Sequence, residues 1–242
     1  MIDEDEPFTN LLCQGMVKDE HGDVMSKSKG NVVPPSSVIG PYGADTMRLA
    51  ILFIAPPEKD FDWDPKAVAG ANRFIKRAWN IVWQLSQNAE AGEVDHKALK
   101  GTAAELFRTL NGMGLKCTSD FDRGQFNTAI SAVMEIVNAA SKYVNDDASV
   151  RDARLDFRVA NDIVAMLAPI CPHWAEELYH EALHLTGSVY NEPWPAFDAE
   201  LAKGDEVEIA VQIKGKVRGR ITVAADASDD EMAEAAKAAV AD

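Results

Sequence analysis

The sequence predicts a mainly α protein, in which a helical bundle lies between a hairpin-and-loop segment and a small α+β piece. Three observations support this fold class. Apolar residues recur at helical spacing through most of residues 65–185, and a strict alternation of apolar and polar residues begins after residue 205. Glycine residues and residues with hydroxyl groups cluster before residue 32. The 242 residues are enough for one large or two modest domains. We expect the chain to divide into residues 1–64, 65–200 and 201–242.

The first segment is predicted to hold a β-hairpin followed by two helices. Gly15–Val17 and Asp23–Met25 are the strand patterns, and a glycine-containing turn lies between them. Pro34 and Pro35 are expected to end regular structure. Residues 36–64 then hold a short helix and a second, apolar one.

The apolar helix of this segment is expected to start near Ala44 and to end before Pro56. Its residues 47–54 are almost all apolar, which predicts burial on most sides. Asp45 and Arg48 are three residues apart, so we expect them to pair on the helix surface. We interpret that pair as structural and not catalytic.

Residues 25–31, Met-Ser-Lys-Ser-Lys-Gly-Asn, are the stretch around which the chain is organised, and they predict an anion-binding loop. Serine hydroxyls and backbone N–H groups can donate to phosphate oxygens, and lysine supplies positive charge. Gly30 allows the backbone to turn or to approach a ligand without a Cβ clash. The stretch does not match the Gly-x-x-x-x-Gly-Lys-Ser/Thr pattern of a P-loop. A Ser/Lys-rich linker is the alternative interpretation, and the flanking hairpin disfavours it.

The bundle is predicted to begin with a helix that Asp64 caps and Pro65 starts. One face of this helix is apolar and the opposite face is polar and basic, so the polar face can lie on phosphates. The polar face carries Arg73, Lys76, Arg77, Asn80 and Gln84. Trp79 and Trp83 are interpreted as core or helix–helix contacts, in preference to base-stacking platforms.

Four further helical patterns follow a polar loop at residues 88–101 and complete the predicted bundle. They cover Thr102–Lys116, Asn127–Val144, Ser149–Leu167 and Pro172–Leu185. Each pattern has one apolar stripe to bury, and a bundle is the arrangement that buries all of them together.

Residues 180–184 of the last helix, His-Glu-Ala-Leu-His, match the His-Glu-x-x-His pattern of zinc proteases. A catalytic zinc also needs a third protein ligand. No histidine follows His184, so Glu192 or Asp198 would have to serve. We therefore favour an ordinary, partly exposed helix and expect no metal site.

The last predicted segment is a small α+β piece. Alternating apolar positions in Glu206–Ile213 and Lys216–Val223 predict two strands, with Lys214-Gly215 as the turn between them. Ser228-x-x-Glu231 is a capping box, which predicts a final helix over Asp229–Ala241.

The charge distribution points to a selective polyanionic partner. A net charge of −15 disfavours non-specific binding of nucleic acid, because like charges repel. Two stretches nevertheless carry basic residues without any acid, at residues 66–87 and 210–223. Two solvated faces are the alternative interpretation of these stretches.

The composition predicts a cytosolic protein. Cys13, Cys117 and Cys171 are widely spaced and form no Cys-x-x-Cys, as is typical of reduced thiols. The sequence contains no run of 18 apolar residues, so we expect no membrane span. The acidic residues 3–6 do not fit the basic start of a signal peptide.

Several stretches resemble class I aminoacyl-tRNA synthetases. Residues 25–31 resemble the second nucleotide motif of that family, Lys-Met-Ser-Lys-Ser, although Val24 occupies the position of the first lysine. Residues 42–49 resemble the helix that follows the motif, and residues 61–74 resemble the approach to the tRNA-binding helices. The stretch at residues 211–220 is similar to the C-terminal domain of bacterial leucyl-tRNA synthetases.

The resemblance implies part of an ATP-dependent enzyme that activates leucine as leucyl-adenylate and transfers it to tRNA(Leu). It implies that an ATP loop binds the nucleotide, that Mg²⁺ accompanies ATP, and that Lys27 is the catalytic cation. The implied loop residues are Val24, Met25, Ser26, Lys27 and Ser28.

The resemblance also implies tRNA contact on two surfaces. The implied contacts are Arg73, Lys76 and Arg77 on an anticodon-binding-type bundle, and Lys216, Arg218 and Arg220 on the C-terminal hairpin. Residues 1–64 would then end a catalytic domain whose leucine pocket and editing region lie outside this sequence, on a removed part or on a separate N-terminal subunit. The C-terminal piece would be truncated. A valyl, isoleucyl or methionyl enzyme remains an alternative, as does a non-catalytic tRNA-binding or assembly module.

Overall fold

The computed structural model describes residues 8–203, 206–213, 216–224 and 228–239. In chain order its elements are β1 Val17–Lys18, α1 Pro35–Tyr42, α2 Ala44–Ile54, β2 Phe61–Asp62, α3 Pro65–Ser86, α4 Gly101–Asp122, α5 Phe126–Val144, α6 Ala153–Leu167, α7 Pro172–Glu181, β3 Glu206–Ile213, β4 Lys216–Ala224 and α8 Asp229–Ala239. The predicted mainly α fold class is confirmed. No helix in the described ranges is both long and apolar enough to cross a bilayer.

The core is one cluster of buried apolar side chains that runs through the helices from α1 to α7. Leu106 and Leu110 of α4, Ile136 of α5 and Ile163 of α6 are fully shielded from solvent. In α4 the two leucines are four residues apart, so they lie on the same side of the helix. The apolar stripes that predicted the helices are therefore the sides that face this core.

The amino-terminal strand pairs with a segment far along the chain. β1 is parallel to β2, and the predicted hairpin survives only as a single antiparallel bridge between Lys18 and Val24. Gly15 is needed at this contact, because a Cβ there would lie 2.2 Å from the backbone of Lys59. The prediction of an independent hairpin is thus only partly correct.

Of two predictions about the next helices, one is wrong. Pro35 begins α1 instead of ending regular structure, because the N–H that proline lacks has no helical partner at that position. α2 is at least partly buried on most sides, as predicted: Leu49 and Ala50 are inaccessible, and Met47, Leu52 and Phe53 are partly buried against the core.

Asp45 and Arg48 do not pair with each other, contrary to the prediction. The buried Asp45 carboxylate accepts from the backbone N–H of Trp174 at 2.6 Å and meets the ring Nδ1 of His173 at 2.9 Å. It therefore places a negative charge at the N-terminus of α7, where the helix dipole favours one. Arg48 donates to two carbonyl oxygens of the turn between α6 and α7, at 2.8 and 2.9 Å. One turn of α2 thus holds both sides of that junction.

The bounds of the bundle helices follow local capping. The Asp64 side chain accepts from the N–H of Lys66 at 2.8 Å, as predicted. α6 begins at Ala153 and not at Ser149, because Asp152 caps it by accepting from two backbone N–H groups. The residues before that cap form a short 3-10 turn, Ala148–Val150.

The described parts of the C-terminal piece match the predicted strands and helix. β3 and β4 are antiparallel, with an irregularity between Val211 and Gln212. Ser228 and Glu231 form the reciprocal bonds of a capping box at the start of α8, which packs on β4. The predicted turn at residues 214–215 lies outside the described residues.

Candidate functional site

The lysine-rich stretch folds into one compact turn after the bridge at Val24. The N–H of Lys29 donates to the carbonyl oxygen of Ser26 at 3.2 Å, and the N–H of Gly30 donates to that of Lys27 at 3.3 Å. Gly30 has a φ of 71°, a left-handed conformation that strongly favours glycine. The turn therefore presents successive polar side chains on a short, closed segment.

The side chains of Asn31 and Asp19 clamp this turn through hydrogen bonds. The Asn31 side chain accepts from the N–H of Ser26 at 2.9 Å and donates to Asp19 Oδ2 at 2.8 Å. The other Asp19 oxygen accepts from the N–H groups of His21 and Asp23, each at 3.0 Å. The hydrogen bond from Asn31 is the main cause that lowers the pKa of Asp19 below its ordinary value. Sequence reasoning assigned no role to either clamp residue, since only the fold brings them together.

The two lysines of the turn differ in their partners. Lys29 Nζ pairs with Asp23 Oδ1 at 3.1 Å. Lys27 is exposed, and its ammonium has no ion pair with any residue that the structure describes. The hydroxyls of Ser26 and Ser28 lie 3.1 Å apart on the same turn. Lys27 is thus the cation of this turn that is left for an external anion.

A cavity of about 540 Å³ separates the turn from the start of α3. Met25 and Asn31 line it on the side of the turn, and Trp63 and Val68 line it on the side of the bundle. The loop and the bundle therefore meet across a partly apolar hollow instead of a packed interface.

The predicted basic face of α3 is present and exposed. Arg73, Lys76 and Arg77 are all on the surface, and none forms an ion pair within the described ranges. The guanidinium of Arg77 lies 6.0 Å from the centre of the Phe74 ring. Because this helix contains no acidic residue, its polar face is electrostatically suited to phosphates.

The hairpin residues of the predicted tRNA surface are only partly described. Arg220 is exposed on β4 and takes part in an interaction within the structure. The side chains of Lys216 and Arg218 lie outside the described part. The hairpin and α3 belong to separate elements, so the two basic stretches do not form one continuous strand or helix face.

Comparison with known proteins identifies the family of this chain. A family model described as the anticodon-binding domain of tRNA ligase matches residues 104–234, more than half of the chain. The chain belongs to this family. A second model, described as tRNA synthetases class I (I, L, M and V), matches residues 1–64, which include the lysine-rich turn.

The similar proteins in this tRNA ligase family include leucine–tRNA ligases. The enzyme of Fervidobacterium nodosum is 44% identical over 230 residues, which are 94% of this chain and 28% of the relative. That of Thermotoga maritima is 43% identical over 234 residues, again 94% of this chain and 28% of the relative. The chain therefore spans 28% of the length of these curated relatives.

Solved structures show the same family fold. The Agrobacterium radiobacter K84 LeuRS, in a ternary complex with tRNA and LeuAMS, matches with a TM-score of 0.82 and 28% identity, over 97% of this chain and 30% of that one. The methionyl-tRNA synthetase of Mycobacterium tuberculosis matches with a TM-score of 0.52 and 18% identity, over 74% of this chain and 43% of that one. At that identity the second match shows the fold alone.

The His-Glu-x-x-His pattern does not have the geometry of a zinc site in this tRNA ligase chain. α7 ends at Glu181, and His184 has a positive φ of 54° beyond the helix end. His180 Nδ1 lies 3.0 Å from the carbonyl oxygen of Leu185. The two histidines therefore do not lie one turn apart on a helix, which the zinc pattern requires.

Proposed function

We propose that this chain is the part of a leucine–tRNA ligase that supplies the ATP-stabilising loop and surfaces that bind tRNA(Leu). The observation that carries the proposal is Lys27, exposed and without an ion pair among the described residues, on a clamped turn that resembles the second nucleotide motif of the family. The identity of about 44% with leucine–tRNA ligases supports leucine as the amino acid. The enzyme would act in the cytoplasm.

The reaction has two steps, and Lys27 would act in the first. The carboxylate of leucine attacks the α-phosphorus of ATP, the bond to the β-phosphate oxygen breaks, and leucyl-adenylate and pyrophosphate form. The leucyl group then passes to the 3′ end of tRNA, and AMP leaves. Negative charge grows on the departing pyrophosphate, so an ammonium positioned there stabilises the transition state more than the ground state. Met25, Ser26 and Ser28 would shape the turn that positions it.

Mg²⁺ would arrive with ATP, because magnesium sites in such enzymes use substrate phosphates together with one or two carboxylates. The described residues contain no cluster of three or more potential metal-ligating side chains. Asp19 and Asp23, two carboxylates that precede the turn in sequence, are engaged with Asn31 and Lys29. The remainder of the ligase, on the same chain or on a separate subunit, would provide the leucine pocket and any carboxylate ligand.

tRNA would contact Arg73, Lys76 and Arg77 on α3. Their exposure and lack of acidic partners within the described ranges support this assignment. Lys216, Arg218 and Arg220 on the hairpin are proposed as the second contact on the strength of the family resemblance. The two sets lie in different elements, so their contributions to binding should add.

The decisive experiment replaces Lys27 by Ala in the complete ligase and measures leucine-dependent ATP–pyrophosphate exchange. Losing one group aimed at developing charge costs roughly 3–4 kcal/mol, so we expect exchange to slow by about 10²–10³-fold. Lys29→Ala is the matched control. Lys29 is already paired with Asp23, so its replacement should slow exchange far less than that of Lys27. Normal exchange in Lys27→Ala together with a sharp fall in melting temperature would make Lys27 a structural residue.

A non-catalytic tRNA-binding or assembly module is the second candidate, because the model of an anticodon-binding domain matches more than half of the chain. ATP titration of the 242-residue chain separates the two, since a pure RNA module should bind no ATP. We expect the chain by itself not to catalyse leucine-dependent exchange, because one phosphate loop cannot orient both reactants. Exchange by this chain alone would overturn that division of roles.

A further inference from the structure

An aromatic side chain interrupts the basic polar face of α3. Trp83 is 42% exposed, so the prediction that it makes a core or helix–helix contact is wrong for this residue. It lies seven residues after Lys76 and three after Asn80, so the three side chains share one stripe of the helix. The exposed face of α3 therefore combines cations, an amide and an indole.

A second and a third tryptophan hold this indole in place. The Trp79 ring is parallel to that of Trp83, with centroids 6.4 Å apart and an interplanar angle of 8°. Trp174 of α7 meets Trp79 edge-on at 6.5 Å, and its Nε1 donates to the carbonyl oxygen of Ile75 at 3.1 Å. Trp79 is the helix–helix contact that was predicted. Trp83 is an oriented aromatic surface resting on it.

The surface next to this stack is concave. A cavity of about 260 Å³ is lined by Trp79, Trp174, Ile75, Lys76 and Asn80. Its lining thus joins two aromatic rings to one ammonium and one amide. Such a combination can accommodate a planar, hydrogen-bonding group that is covalently linked to an anion.

We propose that Trp83 is a stacking platform for an unpaired base of the bound tRNA, while Lys76 and Arg73 contact phosphates of the same strand. This inference rests on the proposed function and adds a base contact to it. Charge complementarity favours RNA over a protein segment, because α3 has no acid and its cations lack ion-pair partners in the described ranges. Unpaired bases stack on exposed aromatic side chains, and positively charged grooves track their backbone.

The test measures binding of a transcribed leucine-accepting tRNA to the 242-residue chain by fluorescence anisotropy across a salt series. Stacking on one aromatic ring changes binding by roughly 5- to 150-fold. We expect Trp83→Ala to weaken binding within that range with an unchanged salt slope, because no phosphate contact is lost. Lys76→Ala should instead reduce the log–log slope by about 0.7–0.9.

Two further variants distinguish the loss of the aromatic ring from misfolding of the chain. Trp83→Phe keeps a flat aromatic face and Trp83→Leu keeps only apolar volume, so the first should largely retain binding and the second should weaken it about as much as Trp83→Ala. Ile39→Ala is the matched control, because Ile39 has the same 42% exposure on α1. Equal affinities for Phe and Leu variants, or a Trp83→Ala variant that binds like the native chain, would overturn the platform.

The outcomes separate this inference from the function on which it rests. If the native chain binds the tRNA and the Trp83 variants bind equally well, the platform is wrong and the tRNA-binding role stands. If the native chain binds no tRNA at any salt concentration, the tRNA-binding role of α3 fails, and the platform fails with it.

Discussion

The lysine-rich turn and the helical bundle use charged residues in opposite ways. In the turn, the Asn31 side chain accepts from the backbone N–H of Ser26 and donates to Asp19, and the Lys27 ammonium is left exposed. In the bundle, buried carboxylates are paired: Asp156 with Arg151, and Asp162 with Arg158. The outer face of α3 resembles the turn in this respect, because its cations also lack ion pairs among the described residues.

The contrast separates charges that maintain the fold from charges that are free to bind a ligand. A buried ion removed from its partner retains its desolvation cost, so changing a bundle charge should lower stability. Replacing an exposed ion changes the free energy of unfolding little. Changing a cation of the turn or of α3 should therefore alter binding and leave the fold intact. The following predictions test this division, starting with the largest effect.

Arg151→Met should be the most destabilising of these changes. It leaves Asp156, which is completely buried, without its charged partner. Breaking a buried pair in this way costs about 3–5 kcal/mol, which urea unfolding can measure. The double variant Arg151→Met/Asp156→Leu should recover most of that loss. A cost below about 1 kcal/mol would mean that this pair resembles a surface pair.

The contribution of Asp162 to the stability of the bundle should fall as the pH rises from about 4 to about 6. Burial raises the pKa of Asp162 from 3.8 to about 6. In that window the folded chain still binds a proton that the unfolded chain has released, so deprotonation favours unfolding. The effect approaches roughly 3 kcal/mol, since each unit of pKa shift is worth about 1.4 kcal/mol. The difference between native and Asp162→Asn unfolding curves isolates it, and an identical pH dependence in both would contradict it.

Asp45→Ala should destabilise the junction between α6 and α7. It removes a buried carboxylate that accepts from Trp174 N–H and contacts His173. Hydrogen bonds to charged groups contribute about 1.5–3 kcal/mol, so we expect a loss of about 2 kcal/mol in chemical denaturation. Asp19→Ala in the turn is the contrasting variant, and its global unfolding midpoint should stay near that of the native chain. If both variants unfolded at the same denaturant concentration, the division of roles would not hold.

Lys76→Ala should change stability least, by no more than about 0.5 kcal/mol. Lys76 is exposed and has no ion pair within the described ranges, so thermal melting should barely move. Its effect should appear only in tRNA binding, as the smaller salt slope given above. A large fall in melting temperature would place Lys76 among the charges that maintain the fold.

The sequence by itself determined those features that depend on neighbours within a few residues. The helix at Pro65 follows from the cap at Asp64 and from apolar residues that recur every three or four positions. The Ser228–Glu231 capping box likewise follows from a spacing of three residues. Such patterns act within one or two helical turns, so they can be read before any tertiary contact is known. The lysine-rich turn, for which we propose anion binding, was recognisable from a short stretch of sequence for the same reason.

Only the tertiary structure decided where distant groups meet. Asp45 and Arg48 were expected to pair, because they are neighbours on a helix surface. Each finds a partner more than 120 residues away, where the backbone groups around the α6–α7 junction need a charged cap. Trp79 and Trp83 were both expected to make core or helix–helix contacts, yet Trp79 packs against Trp174 and Trp83 lies at the surface. Periodicity specifies which side chains share a face, whereas the packing of other helices determines which part of that face is covered.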